Sequence, residues 1–247
     1  MNKNFSEYIL DESCDKSGFI EGRLLLMDKP YQWSSFDIVN KIRILLRSYL
    51  GIKKIKVGHA GTLDPLATGL MIVCIGKMTK KIDFLTGLDK EYVAGITFGG
   101  TTPSFDLETE INQKFEYLHI NNENIKQALK QFEGKQKQTP PLFSAIRIDG
   151  KRAYQHARKG DEITLKQREV TFNELELLDY FAPVANIRIN CSKGTYIRSF
   201  ADDLGKNLQS GAFLSSLKRT LTGNFSLKDA LTIEEFEKIL EKIRYNI

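Results

Sequence analysis

A mixed α/β fold is what this sequence predicts, on three observations. Short apolar runs of strand length intermingle with amphipathic stretches of helical spacing. They do so without the regular strand–helix–strand rhythm of a doubly wound sheet. No repeat or low-complexity stretch interrupts them. The 247 residues, 41% hydrophobic and 27% charged, are enough for a substantial core.

Arg23 to Pro30, RLLLMDKP, is an apolar run stopped by proline and predicts a strand. Ser34 and Ser35 then precede a stretch in which Phe36, Val39, Ile42, Leu46 and Leu50 recur at helical spacing. A serine cap before that pattern predicts a helix, ended by Gly51. VGHAGTLDPLATG carries three glycines and a proline and reads as an ordered loop. MIVCIG reads as a buried strand, EYVAGITFG as another, and NIKQALKQFEG as an amphipathic helix ended by Gly134. TPPLFSAIRIDGKRAYQHARKGDEI reads as a long exposed loop with a short helix at AYQHARKG. REVTFNELELLDY and ANIRINCSK predict strands, and TYIRSFADDLGKNLQ a helix with Gly211 near its end. LTIEEFEKILEKIRYNI predicts a closing amphipathic helix.

Charge is uneven along the chain. The 36 basic and 31 acidic residues leave +5 overall. Lys41 to Lys56 holds six basic residues and no acid, and Lys135 to Lys159 holds seven against Asp149 alone. Between Ser104 and Asn124 five acids face one lysine. Such blocks suit a face turned to a polyanion, and equally an uneven solvated surface. No apolar stretch of about 18 residues occurs, and the N-terminus lacks a basic-then-apolar leader pattern. Cys14, Cys74 and Cys191 form no CxxC pair, which fits a reducing compartment, the cytoplasm, and supplies no zinc framework.

Dinucleotide, P-loop, HExxH and GxSxG signatures are all missing, and there are three histidines, His59, His119 and His156. The chemistry therefore falls to Asp, Glu, Tyr, Lys or Arg, with no metal and no organic cofactor expected. Asp64 is the leading candidate. It sits between Leu63 and Pro65 in a loop where Gly58, Gly61 and Gly69 permit sharp turns. A rigidly held, accessible carboxylate suits nucleophilic catalysis. Read alone, Asp64 also suits a turn former in a Leu-Asp-Pro bend.

GHAGTLDPLATGLMIVCIGKMTK resembles the central motif of the bacterial tRNA pseudouridine-55 synthases, the TruB-type family. DKPYQWSSFDIV, KEYVAGITFG, QTPPLFSAIRIDGKRAYQHARKG, CSKGTYIRSFADDLG and GAFLSSLKRT follow the family's order and extend the likeness over about residues 23 to 222. The resemblance implies the pseudouridine synthase catalytic fold, with a central mixed, largely antiparallel sheet flanked by helices. It implies an isomerase that converts the T-loop uridine at tRNA position 55 by flipping the base, cleaving the glycosidic bond and re-forming it. Asp64 would be the catalytic aspartate. Tyr92 would stack on the target base, Tyr196 and Arg198 would belong to the active site, and Arg198 would pair with Asp64. Leu217 would line the uracil pocket, and His59 would push into the RNA loop. A loop over about 138–162 would close on RNA, with Lys151, Arg152, Arg158 and Lys159 meeting phosphates around Tyr154. Lys29, Lys80 and Arg219 are further candidates for RNA contact.

Some features depart from the family pattern. Pro103 stands where an aspartate is frequent, although Asp106 remains. Phe213 stands where a histidine is common, so an RNA contact there is lost or becomes stacking. The chain ends soon after Lys218-Arg219-Thr220, too early for the small PUA-type domain of many relatives. The expected organisation is an N-terminal extension over 1–22, a catalytic domain over 23–230, and a C-terminal helix over 231–247. The expected partner is the T arm of tRNA, with no membrane, no obligatory protein partner and a monomeric enzyme. Two rival readings are a ribonucleoprotein-guided synthase and a non-catalytic RNA-binding module with the same fold.

Overall fold

The computed structural model describes residues 5–10, 14–144, 147–148, 151–152 and 165–245. In chain order, a 3-10 turn at Ser6–Tyr8 precedes α1 (Lys16–Glu21), β1 (Arg23–Lys29), α2 (Ser35–Leu50), β2 (Val57–His59) and β3 (Ala67–Ile75). A 3-10 stretch at Gly76–Lys81 leads to α3 (Ile82–Thr86), β4 (Lys90–Phe98), β5 (Gly100–Thr101) and β6 (Gln113–Lys114). Next come α4 (Asn122–Phe132), β7 (Gly134–Gln138), β8 (Arg147–Ile148), β9 (Lys151–Arg152), β10 (Arg168–Phe181) and β11 (Val184–Cys191). The last elements are α5 (Ile197–Asn207), β12 (Ala212–Thr222), β13 (Phe225–Ser226) and α6 (Ile233–Tyr245). The fold is mixed α/β, as expected. It divides into two compact units, one of residues 1–90 with 218–247 and the other of residues 91–217.

In the first unit β1 and β3 pair antiparallel from Arg23↔Ile75 to Lys29↔Gly69. Both strands are buried on both faces, which is why they read as continuous apolar runs rather than alternations. Leu25, Met27, Met71, Val73 and Ile75 pack with Ile38, Ile42 and Leu46 of α2 and with Phe236 and Leu240 of α6. Their alternates Leu24, Leu26, Leu70, Ile72 and Cys74 pack with Phe5, Ala60, Met78 and Leu85. The N-terminal extension is tied down where the Leu10 amide donates to the Leu24 carbonyl at 3.0 Å.

α2 begins and ends as its sequence dictates. The Ser34 hydroxyl accepts from the Asp37 amide at 3.2 Å, and the Asp37 carboxylate accepts from the Ser34 amide at 2.8 Å. This capping box satisfies two backbone donors, and such a cap is worth about 1 kcal/mol. Gly51 closes the helix in the left-handed region at φ 62°.

In the second unit β10 pairs antiparallel with β11 on one side and β7 on the other. β4 lies beside β11, and beside β12 through the Ser215 hydroxyl donating to the Gly95 carbonyl at 3.0 Å. Phe200 of α5 packs against Phe132 of α4 and Phe172 of β10, with ring centroids 5.4 and 5.0 Å apart.

The elements differ from the sequence expectation in places. The glycine-rich loop contracts to the seven residues between β2 and β3, because Val57–His59 and Ala67–Gly69 join the ladder. Gly134 does not cap α4; Glu133 does, and Gly134 opens β7 at φ 85°. The predicted helix at AYQHARKG lies outside the described residues.

Candidate active site

Asp64 is half-buried in the loop that joins β2 to β3. The backbone around it is held at nearly every residue. Leu63 is fixed by Ser35, the first residue of α2: the Leu63 amide donates to the Ser35 hydroxyl at 2.8 Å, and that hydroxyl donates to the Leu63 carbonyl at 3.1 Å. The Pro65 carbonyl accepts from the Gln32 amide at 2.9 Å and from the Lys29 ammonium at 3.3 Å. The Asp64 carbonyl accepts from the Ala67 amide at 3.0 Å. The result is a carboxylate presented on a pinned backbone, the preorganisation that nucleophilic or base catalysis needs.

Two buried cations complete the clamp. Lys29, 0% exposed, donates also to the Pro30 and Trp33 carbonyls at 2.9 and 2.6 Å. Burial pushes its ammonium down to about 8, while the Asp64 carboxylate pulls the other way. Arg219, 1% exposed, donates from Nε to the Leu70 carbonyl at 2.6 Å and from a terminal nitrogen to the Gly61 carbonyl at 3.2 Å. Its backbone approaches so closely that a Cβ on Gly69 would lie 2.4 Å from the Arg219 carbonyl oxygen. That contact, with φ at +98°, is why glycine stands at position 69. His59 is half-buried, and its Nδ1 meets no hydrogen-bond partner. Burial, and then Arg219, lowers its pKa, so it is neutral at pH 7.

The second unit carries its own cluster. Arg198, on the first turn of α5, is buried. One of its terminal nitrogens donates to the Ser104 and Phe143 carbonyls at 3.3 and 2.9 Å, and its Nε lies 3.7 Å from the Asp106 carboxylate. Asp106, the acid that the sequence retains after Pro103, is therefore part of this cluster. Tyr196 caps α5, and its amide and carbonyl are both paired with the Gln138 side chain at 2.8 and 3.0 Å. The Arg168 guanidinium lies over the Tyr196 ring, 5.2 Å from its centroid. Tyr92 is buried in β4, and Leu217 is half-buried in β12.

Three expectations change here. Lys29 and Arg219 were expected to meet RNA; both are enclosed, with their donors turned to backbone carbonyls, so they brace the Asp64 loop instead. Phe213 is buried and presents no face for stacking. Lys80 is exposed on the 3-10 stretch, where a cation can meet a phosphate. Lys151 and Arg152 pair with Ile148 and Arg147 in a short hairpin whose side chains lie outside the described set. Arg158, Tyr154 and Lys159 lie outside the described residues altogether.

Sequence reasoning missed Ser35, Gln32, Gln138 and Arg168. Nothing local marks them: each acts on a residue at least 28 positions away. No helix among the described residues is long and apolar enough to cross a membrane.

Comparison with known proteins gives concordant matches. Residues 47–197 match the model for the TruB family pseudouridylate synthase N-terminal domain. The tRNA pseudouridine synthase B of Phocaeicola vulgatus is 51% identical over 91% of this chain and 95% of its own. The protein of that name from Parabacteroides distasonis is 52% identical over 91% and 95%, and that from Flavobacterium johnsoniae 51% over 90% and 98%. Among solved structures, a Cbf5–Nop10–Gar1 complex includes a chain with TM-score 0.68 and 24% identity. An H/ACA ribonucleoprotein bound to a substrate RNA includes one with TM-score 0.66 and 23% identity. Each covers 98% of this chain, which spans 65% and 64% of theirs, so that likeness speaks to the fold alone.

Proposed function

The chain belongs to the TruB family of pseudouridylate synthases and isomerises uridine to pseudouridine in tRNA, and from that premise we propose that its target is the T-loop uridine at position 55, with Asp64 as the catalytic carboxylate. The observation that carries the assignment is the clamp on the Asp64 loop, which holds one half-exposed carboxylate within the matched segment.

The reaction breaks the N1–C1′ bond, turns the uracil and rejoins it through C5. The C5 proton is lost and N1 gains one, so atoms balance without redox change or hydrolysis. A carboxylate has two ways to help: it bonds to C1′, or it takes the C2′ proton. Both require the ionised form and a fixed direction of approach. The target base must first leave its stack, at a cost of a few kcal/mol. We assign His59 to fill the gap, which a neutral ring does without carrying charge into the stack. Tyr92 and Leu217 are assigned to hold the detached uracil, and Tyr196 and Arg198 to complete the site. Lys80, Lys151, Arg152 and Arg158 are assigned to the RNA backbone, where cations position without reading sequence.

We further propose that the enzyme acts as a monomer in the cytoplasm without an obligatory protein partner. Incubation with unmodified tRNA, followed by chemical mapping of pseudouridine, tests the reading. Product is expected at the T-loop uridine, and its absence there overturns the assignment. Asp64→Asn is expected to lose turnover while still binding tRNA. A fully active Asp64→Asn enzyme would mean that another group does the chemistry.

A further inference from the structure

We propose that Gln138 is a positioning residue of the reaction: its side chain fixes the turn of α5 that carries Tyr196 and Arg198. The inference rests on the assignment of those two residues to the active site and adds a residue that acts through them.

α5 starts without a cap of its own. Tyr196 stands at the N-cap position, and its side chain makes no capping bond. A helix start leaves backbone donors that something must satisfy. Gln138, the last residue of β7, reaches this start from 58 positions away. The Tyr196 backbone is extended there, at φ −99° and ψ 109°. Its N–H and C=O thus turn to one side, as in a strand residue that exchanges both bonds with a ladder partner. The Gln138 carboxamide meets them as such a partner would. Its oxygen accepts from the Tyr196 amide at 2.8 Å, and its nitrogen donates to the Tyr196 carbonyl at 3.0 Å. A carboxamide offers acceptor and donor side by side, which a carboxylate and a thioether do not.

Gln138 is itself held. It is 2% exposed, and β7 pairs it with Arg168 of β10. Arg168 places its guanidinium over the Tyr196 ring, so two facing residues of one ladder seat both the backbone and the ring of Tyr196. The chain just after Gln138 continues the grip. The Ser199 hydroxyl donates to the Thr139 carbonyl at 2.7 Å, and Arg198 donates to the Phe143 carbonyl at 2.9 Å.

The body of α5 is fixed by other means. Phe200, Ala201 and Leu204 are buried, and the Phe200 ring packs on Phe132 and Phe172. Loss of the Gln138 pairing therefore frees the first turn and leaves the helix seated. The groups displaced are those of Tyr196 and Arg198, and small misplacements of orienting groups are costly to rate.

The test compares wild type, Gln138→Met and Gln138→Glu on unmodified tRNA. Gln138→Met keeps the length and loses both bonds, and it is expected to slow single-turnover pseudouridine formation at saturating tRNA by roughly 10- to 100-fold. Its dissociation constant for tRNA, measured in the Asp64→Asn background, should stay within about twofold of the parent. Gln138→Glu gives the discriminating readout. As a carboxylate it still accepts from the Tyr196 amide but turns an oxygen, not a donor, to the Tyr196 carbonyl. Protonated, it regains the donor, and burial favours that neutral form. Its rate relative to wild type should therefore rise severalfold from about pH 8.5 to about pH 6, a dependence that lost packing alone would not produce. Should Gln138→Met fail to fold, Gln138→Glu carries the test by itself, because protonation restores the pairing within one protein. A rate ratio for Gln138→Glu that stays flat over this range overturns the proposal, and so does wild-type turnover in both variants. Amide exchange across residues 196–199 should be faster in Gln138→Met. Faster exchange with an undiminished rate overturns the proposal and leaves the functional reading standing. A wild-type enzyme that makes no pseudouridine overturns the functional reading, and the proposal with it, even with the exchange difference intact.

Discussion

Ser35 and Leu63 exchange two hydrogen bonds through one hydroxyl, which accepts from the Leu63 amide at 2.8 Å and donates to the Leu63 carbonyl at 3.1 Å. A hydroxyl has the one donor and the acceptor capacity that this requires. The pair is buried, so water cannot replace it. Ser35→Ala is expected to lower stability by about 1–3 kcal/mol, the penalty for a stranded buried amide. It should also slow single-turnover pseudouridine formation, since Leu63 precedes the nucleophile. Urea melts and rapid-quench assays on the same preparations check both.

Gln32 adopts φ 67°, the left-handed region where an L side chain is strained by roughly 1–2 kcal/mol. Glycine relieves the strain but costs about 0.5–1 kcal/mol of added unfolded-state entropy. Gln32→Gly is therefore expected to stabilise slightly, by about 0.5 kcal/mol. The Gln32 amide that donates to Pro65 survives the change, so activity should hold. A drop in the urea midpoint would show that the glutamine side chain contributes more than the strain costs.

Arg198 and Asp106 are both buried, 3.7 Å apart from Nε to carboxylate. Removing the negative charge of one partner breaks a buried ion pair, which typically costs about 3–5 kcal/mol. Two carbonyls still hold the guanidinium, so Asp106→Asn should fall near about 3 kcal/mol. Turnover should fall with it if Arg198 serves the reaction as assigned. Thermal melts and single-turnover rates distinguish a purely structural loss from one that reaches the chemistry.

Asp203 on α5 has its carboxyl pushed up to about 6, first by burial and then by Asp202, against the pull of Lys206. The native state thus holds a proton that the unfolded chain, with a carboxyl near the usual 3.9, has already released. Stability contributed by this group falls as pH rises from about 4 to about 6 and is level above. Asp203→Asn should remove that fall. The variant should match wild type near pH 4 and exceed it at pH 7, by an amount that solvent screening keeps small. Urea melts at four pH values between these limits follow it.

Much of the fold is legible in local pattern. The Ser34 cap, the spacing through Leu50 and the stop at Gly51 state α2 completely, because each signal is a backbone requirement met within one turn. β1 and β3 show as apolar runs because both their faces are covered. β12 is harder to read: its burial runs from Ala212 to Leu214 and then alternates through two serines and a lysine, so no single period marks it. Gly134 reads as a helix stop because glycine often is one, yet here it turns the chain into β7.

The site divides in the same way. The segment GHAGTLDPLATGL, met in sequence, marks Asp64 as a carboxylate in a glycine-bounded loop, and the ordered family motifs name its companions. Lys29 and Arg219 are unreadable from sequence, where a lysine and an arginine in a basic chain look like surface cations. Only the tertiary fold surrounds them and turns their donors onto the carbonyls of residues 61, 65 and 70. Sequence by itself determined which elements form and which carboxylate is candidate, since propensity, capping and motif are local. Tertiary structure alone decided which cations are desolvated, which hydroxyl grips Leu63, and why residue 69 admits no side chain. Those outcomes depend on atoms brought together from positions 28 to 158 residues apart in the chain.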